Sequence, residues 1–111
     1  VKNFIAIGNV ITVAAPAAVN SGDLVLVGSL FGVAAADAAS GTDVQLNTGG
    51  VYDLPKAASQ AWTVGAKVYW DNTAKVATTT TSGNTLIGVA TVPVDGAAGS
   101  IIGRVRLNPA F

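Results

Sequence analysis

The side chains able to do chemistry in this 111-residue chain are six Asp and six Lys+Arg, together with hydroxyls and amides; there is no His, Cys, Met or Glu. Without His the chain lacks the commonest general base and the commonest transition-metal ligand, so no Ser-His-Asp arrangement or zincin motif can be assembled from it. Without Cys it has no disulfide, no thiolate nucleophile and no cysteine cluster for zinc or iron–sulfur. The carboxylates Asp23, Asp37, Asp43, Asp53, Asp71 and Asp95 fall beside turns or strand ends and show no catalytic pairing. Asp is favoured at such places because its short side chain bonds neighbouring backbone amides, so a structural role is expected for them rather than a glycosidase-like pair. No GxxxxGK[ST], GxGxxG or EF-hand spacing occurs, and Lys67 follows Gly65-Ala66 into a strand rather than a phosphate-holding helix. No catalytic residue, metal ligand or cofactor is assigned, and the chain is not expected to be an enzyme.

The elements that must carry these residues are short. β-Branched runs are cut every eight to twelve residues by Gly, Asn, Asp or Ser, which predicts strands over 3–7, 10–14, 24–27, 30–36, 43–47, 51–54, 67–70, 75–79, 85–92 and 100–107. Turn chemistry separates them at Asn20-Ser21-Gly22-Asp23, Ser40-Gly41, Gly49-Gly50, Asp71-Asn72, Ser82-Gly83-Asn84 and Asp95-Gly96. One short helix is predicted over 55–61, where Pro55 opens a run of good helix formers. The fold class is all-β: a small barrel or sandwich with at most that one short helix.

Part of the sequence returns. Gly22-Asp23-Leu24-Val25 aligns with Gly65-Ala66-Lys67-Val68, and each precedes a close copy of one segment, Leu30-Phe31-Gly32-Val33-Ala34 or Leu86-Ile87-Gly88-Val89-Ala90. This predicts a pseudo-duplicated strand motif within a single domain, 1–111. In that domain 1–20 would form an N-terminal arm or strands, 21–57 a first half, and 64–108 a second half with a longer hairpin at 71–84. Gly32 and Gly88 inside their strands predict a bulge or the close approach of another backbone.

Net charge is zero and charged residues are only 11% of the chain, against roughly 25% in ordinary soluble domains. No general field exists to hold nucleic acid, and a surface so poor in charge loses little on burial against other protein. Arg104 and Arg106 alternate onto one face of a predicted strand, either as two solvated cations or as contacts to phosphate or an acidic protein partner. Tyr69 and Trp70 must point to opposite faces, so one can enter the core while the other covers a surface. The Thr78–Thr81 run with Ser82-Gly83-Asn84 reads as a polar hairpin tip. No apolar run approaches the 18 residues a membrane span needs. The start loosely imitates a signal peptide, but Gly8, Asn9 and Thr12 interrupt its apolar stretch, which reads better as two short strands.

The order of segments is similar to that of the capsid cement, or head-decoration, proteins of tailed bacteriophages. It runs from Gly8-Asn9-Val10-Ile11-Thr12-Val13 through Ser21-Gly22-Asp23-Leu24-Val25 to Gly103-Arg104-Val105-Arg106-Leu107. The most telling pieces are the FELPK-like Tyr52-Asp53-Leu54-Pro55-Lys56 and the GDKVYWD-like Gly65-Ala66-Lys67-Val68-Tyr69-Trp70-Asp71, with Ala66 where members often carry Asp.

The resemblance implies a structural virion protein that docks on the outer surface of a phage capsid and bridges major-capsid subunits. It would be made in the bacterial host cytoplasm and act as a homo-oligomer, commonly a trimer, with no nucleic-acid or membrane partner. A tail or fibre accessory module is the alternative. Candidate interface residues are Phe4, Ile5 and Ile7 in the segment 2–7, which either adds a strand to a capsid or sister subunit or forms an internal edge strand, with Trp62, Trp70, Arg104, Arg106 and the terminal Phe111.

Overall fold

The computed structural model describes residues 10–107. Nine strands run in order as β1 (Val10–Ala14), β2 (Leu24–Val27), β3 (Leu30–Ala34), β4 (Asp43–Asn47), β5 (Gly50–Pro55), β6 (Lys67–Asp71), β7 (Val76–Thr78), β8 (Thr85–Ala90) and β9 (Ile102–Leu107). They form two antiparallel sheets, β1-β4-β3-β2 and β5-β9-β8-β6-β7, in a sandwich-like body rather than a closed barrel. The predicted strand at 3–7 lies outside the described residues.

The helix predicted over 55–61 is absent, because its first residues are held extended: Pro55 ends β5 opposite Ile102, and Lys56 bridges to Ala77. The N–H of Lys56 donates to Ile101 O at 2.7 Å and that of Ala57 to Ala77 O at 2.9 Å, so strands on both sides claim the residues that would have begun the first turn. Ser59 then takes a positive φ of 57°, which no helix interior accepts. Seven residues of good propensity do not offset the nucleation cost against such ready partners.

The two sheets repeat one pattern of pairing over most of their length. Val25 faces Gly32 as Val68 faces Gly88, and Leu24 faces Val33 as Lys67 faces Val89. Ala34 pairs Leu46 as Ala90 pairs Val105, and Ile11 pairs Leu46 as Tyr52 pairs Val105. Outside the strands, the Gly22 N–H donates to Ala34 O at 2.9 Å and the Gly65 N–H to Ala90 O at 2.8 Å. Both glycines sit at positive φ, +92° and +86°, so the same left-handed turn opens β2 and β6. The bridge Val19↔Ala38 has its counterpart in Trp62↔Val94. Hence β1-β4-β3-β2 corresponds to β5-β9-β8-β6, and among the described residues β7 has no counterpart in the first unit.

Strand alternation decides what each unit buries. In β9, Gly103, Val105 and Leu107 point inward while Ile102, Arg104 and Arg106 point out. The main core gathers Leu54, Trp62, Val68, Trp70, Ala77, Ile87 and Val105 of the second unit, and Leu24, Phe31 and Val33 of the first pack into it. A smaller cluster of Ala15, Val25, Ala34, Val44 and Leu46 fills the first unit. The β2–β3 hairpin therefore serves two cores with its two faces, which joins the units into one body of 49 × 31 × 23 Å.

The glycines inside the repeated segment are close-approach positions. A Cβ on Gly32 would lie 2.8 Å from Leu46 Cβ, and one on Gly88 only 2.0 Å from Arg106 O. β8 also carries a register irregularity against β6, between Val68 and Tyr69.

Candidate interaction surface

The outward face of the five-stranded sheet is assembled from alternate residues of β5, β9, β8 and β6. Cross-strand register sets Val51 beside Arg106, Arg106 beside Val89, and Val89 beside Lys67, giving a row in which aliphatic and cationic side chains alternate. The next row pairs Asp53 with Arg104, whose Nε donates to Asp53 Oδ1 at 2.9 Å and whose NH2 donates to Oδ2 at 3.3 Å. Beyond it, Pro55 stands opposite Ile102. Val51, Ile101 and Ile102 are each more than half exposed, so apolar surface is interleaved with the two arginines. Pairing leaves Arg104 largely neutralised, and the face presents Arg106 and Lys67 as its cations.

The forked hydrogen bond from Arg104 holds the Asp53 carboxyl below the usual carboxylate range, and the same contact raises the guanidinium. Asp95 is lowered too, chiefly by the Ser100 hydroxyl and then by the Ala97 N–H. A carboxylate lowered in the folded state adds stability above its unfolded value, and that stability is lost as pH falls through the folded value. Thermal midpoints are therefore expected to stay level from neutral pH down to about 5 and to fall below the ordinary carboxylate value of about 4. Both groups are exposed, so the effect is small. Melting curves of Asp53→Asn across this range check it: the variant loses part of the acid-side slope and nothing at pH 7 to 8 beyond the ion pair.

Three of the remaining four acids serve the backbone. Asp23 accepts the Asn20 N–H at 2.9 Å, Asp37 the Ser21 N–H at 2.7 Å, and Asp71 the Thr73 and Ala74 N–H groups at 3.0 and 3.1 Å. Asp43, exposed at the start of β4, stands opposite Ala14. Among the described residues no group of three or more acidic, His or Cys side chains converges to hold a metal ion. No helix of the described residues is long and apolar enough to cross a membrane.

Of the interface candidates, Arg104 and Arg106 lie on the surface as their alternation predicts, on one exposed face of β9. Trp62 and Trp70 do not: each is 2% exposed. Their indole N–H groups are satisfied inside the chain, by Gln60 Oε1 at 2.9 Å and Asn72 Oδ1 at 3.2 Å. With so few aromatics, a chain of small residues needs its two indoles to fill the main core, and the folded chain offers neither ring to a partner. Phe4, Ile5, Ile7 and Phe111 lie outside the described residues. Reading the residues as candidate contacts missed Val51 and Ile102, although their places in strand alternation with Arg104 and Arg106 carry the signal.

A two-sheet body whose acids are spent on turns, with a mixed aliphatic and cationic sheet face, defines a structural interaction protein. Comparison with known families agrees: a model described as phage cement protein matches residues 5–107. The chain belongs to the phage cement protein family, and its role is structural and capsid-associated. No curated protein and no solved structure shows significant similarity to it.

Proposed function

We propose that the protein binds the outer surface of an assembled phage head and stabilises it by bridging neighbouring major-capsid subunits. In this reading it is made in the host cytoplasm and added as a homo-oligomer, a trimer by preference. The observation that carries the reading is the exposed face of β5 and β9. Val51, Ile101 and Ile102 offer apolar area, and Arg106 with Lys67 favours an acidic patch opposite. Repetition over a closed shell multiplies modest contacts into firm attachment, so no deep pocket or reaction centre is needed.

Cosedimentation with purified heads tests it. Saturable binding to expanded empty heads at micromolar protein is expected, with little to unexpanded shells, and bound heads should withstand heating that opens bare ones. Arg106→Glu is expected to weaken binding by roughly tenfold while leaving the melting curve in place, because a reversed charge at a contact repels an acidic patch. Failure to cosediment at micromolar concentration, or binding to purified tails instead, overturns the reading.

A further inference from the structure

The internal duplication is incomplete at one place. In the second unit the outer edge of β6 is covered by β7 through the antiparallel pairs Tyr69↔Thr78, Trp70↔Ala77 and Asp71↔Val76. Ala77 also bridges to Lys56 at the end of β5, and Ala77 and Thr78 are buried. In the first unit the strand corresponding to β6 is β2, and β2 is the last strand of its sheet, with no partner on its outer side among the described residues. A groove of about 550 Å³ lies there, between the loop 16–19 and the backbone of 22–26, with Trp70, Asn72 and Lys75 of the second unit along its wall.

We propose that the outer edge of β2, at the Leu26 end of this groove, receives the segment Ile5-Ala6-Ile7 of a second copy of the chain, which adds to β2 as β7 adds to β6. Sequence names the segment. A β-branched residue, Ala and a second β-branched residue occur in succession at 76–78, 89–91 and 5–7. The first of these is β7 and the second closes β8, which leaves 5–7 as the triplet without an assigned place. Ala6 would take the inward position that Ala77 holds, where only a small side chain fits, and the isoleucines would stand where Val76 and Thr78 do. Pro16, Ala17, Ala18, Leu24 and Leu26 give the groove an apolar side for the isoleucines, while Asp23, Asn72 and Lys75 line the rest of it, and residues 3–9 carry no charge.

Chain length places the donor in another molecule. The counterpart of Lys56 is Ala15, since the Lys56 N–H bonds Ile101 O as the Ala15 N–H bonds Thr42 O. A strand equivalent to β7 must therefore set Ala6 near Ala15, five residues beyond Val10, a distance of roughly 17 Å along an extended strand. Four residue steps lead from Ala6 to Val10, and they reach about 14 Å at most before any sideways step. A chain cannot fill its own groove, whereas a neighbour can. The bonding is also one-sided: the Ala57 N–H reaches Ala77 O at 2.9 Å, but its counterpart Pro16 has no N–H to give, so the visiting strand is held through β2. Donation from one copy to the next is a head-to-tail contact, which closes as a cyclic ring where its rotation divides the circle, or as a dimer where two copies exchange strands. The inference deepens the homo-oligomer of the proposed function and does not depend on capsid binding.

The absence of cysteine makes trapping clean. Because Ala77 pairs with Trp70, the residue opposite Ala6 would be Val27, which is 38% exposed and tolerant of change. Chains carrying Ala6→Cys are mixed with chains carrying Val27→Cys and oxidised; the mixed disulfide is expected at least tenfold above either like-with-like product. By light scattering the full chain should show a multiple of 11.0 kDa, and a chain lacking residues 1–8 should show a single copy with the same β-type spectrum. A monomeric full chain, an oligomer that survives the truncation, or a mixed disulfide no stronger than the like products overturns the proposal. Should the truncated chain fail to fold, the disulfide ratio decides alone. Crosslinking of Val27→Cys to the major capsid protein on heads, in place of Ala6→Cys, also overturns it. Strand exchange without head binding would instead remove the capsid reading and leave this one standing.

Discussion

Gly88→Ala is expected to lower the thermal midpoint by about 10–20 °C, the effect of losing about 3 kcal/mol or somewhat more in a domain of this size. The added methyl would lie 2.0 Å from Arg106 O, 2.9 Å from Arg106 C and 3.2 Å from Leu107 Cα. All three atoms belong to the backbone of β9, so no rotamer change makes room. Relief requires β8 and β9 to separate, and their pairs Gly88↔Leu107, Val89↔Arg106 and Ala90↔Val105 close the middle of the five-stranded sheet. The equivalent Gly32→Ala meets Leu46 Cβ at 2.8 Å and Asn47 O at 2.9 Å, a looser fit beside the smaller core. It should cost about 1–2 kcal/mol, within the usual range for overpacking. Thermal melts of both variants give the order; Gly88→Ala melting within two degrees of the parent would show that β8 and β9 do not approach this closely.

The same two glycines show what a sequence of this kind discloses. Short β-branched runs bounded by Gly, Asn and Asp located the described strands, because turn residues with special backbone needs recur between them. The repeated Leu-Phe/Ile-Gly-Val-Ala segment predicted the duplication, and the matched registers Val25↔Gly32 and Val68↔Gly88 realise it. The outward placement of Arg104 and Arg106 was legible from alternation alone. The failures share one cause, which is that tertiary partners override local preference. Residues 55–61 have helix-forming composition, yet pairing with Ile102 and Ala77 holds Pro55 and Lys56 extended, and Ser59 takes a positive φ. Trp62 lies outside any strand, so no alternation says which way it faces. Nothing in the sequence marks Lys56 as buried, yet it is 2% exposed, with Nζ donating to Ala57 O at 2.7 Å and Ser100 O at 3.1 Å. The groove beside β2 is visible only when one unit is laid over the other, since its definition is the lack of something the other unit has.

Trp62→Ala is expected to destabilise the protein by about 3–5 kcal/mol, the range for removing a large buried aromatic. The indole ties several parts together. Its N–H bonds Gln60 Oε1, the same oxygen that accepts the Thr79 N–H at 2.8 Å, and Lys56 Nζ stands 5.7 Å from the ring centroid. Losing the ring thus also loosens the end of β7 and withdraws a cation–π contact from a buried ammonium. The duplication explains how the ring is accommodated. Trp62 occupies the place of Val19, and Gly103, which faces Leu54 as Val44 faces Val13, occupies the place of Val44. One unit fills the site with two valines and the other with tryptophan and glycine. A Cβ on Gly103 would lie 2.2 Å from Trp62 Cζ3, so Gly103→Ala alone should be destabilising, whereas in the Trp62→Ala background the methyl enters vacated space. The double variant is therefore expected to be more stable than the sum of the single losses by about 1–3 kcal/mol, as for residues in direct contact. Urea unfolding of the four proteins measures this coupling. Losses that add to within about 0.5 kcal/mol would mean the ring and the glycine are not packed against each other, and that the exchange of volume between the two units is an accident of alignment.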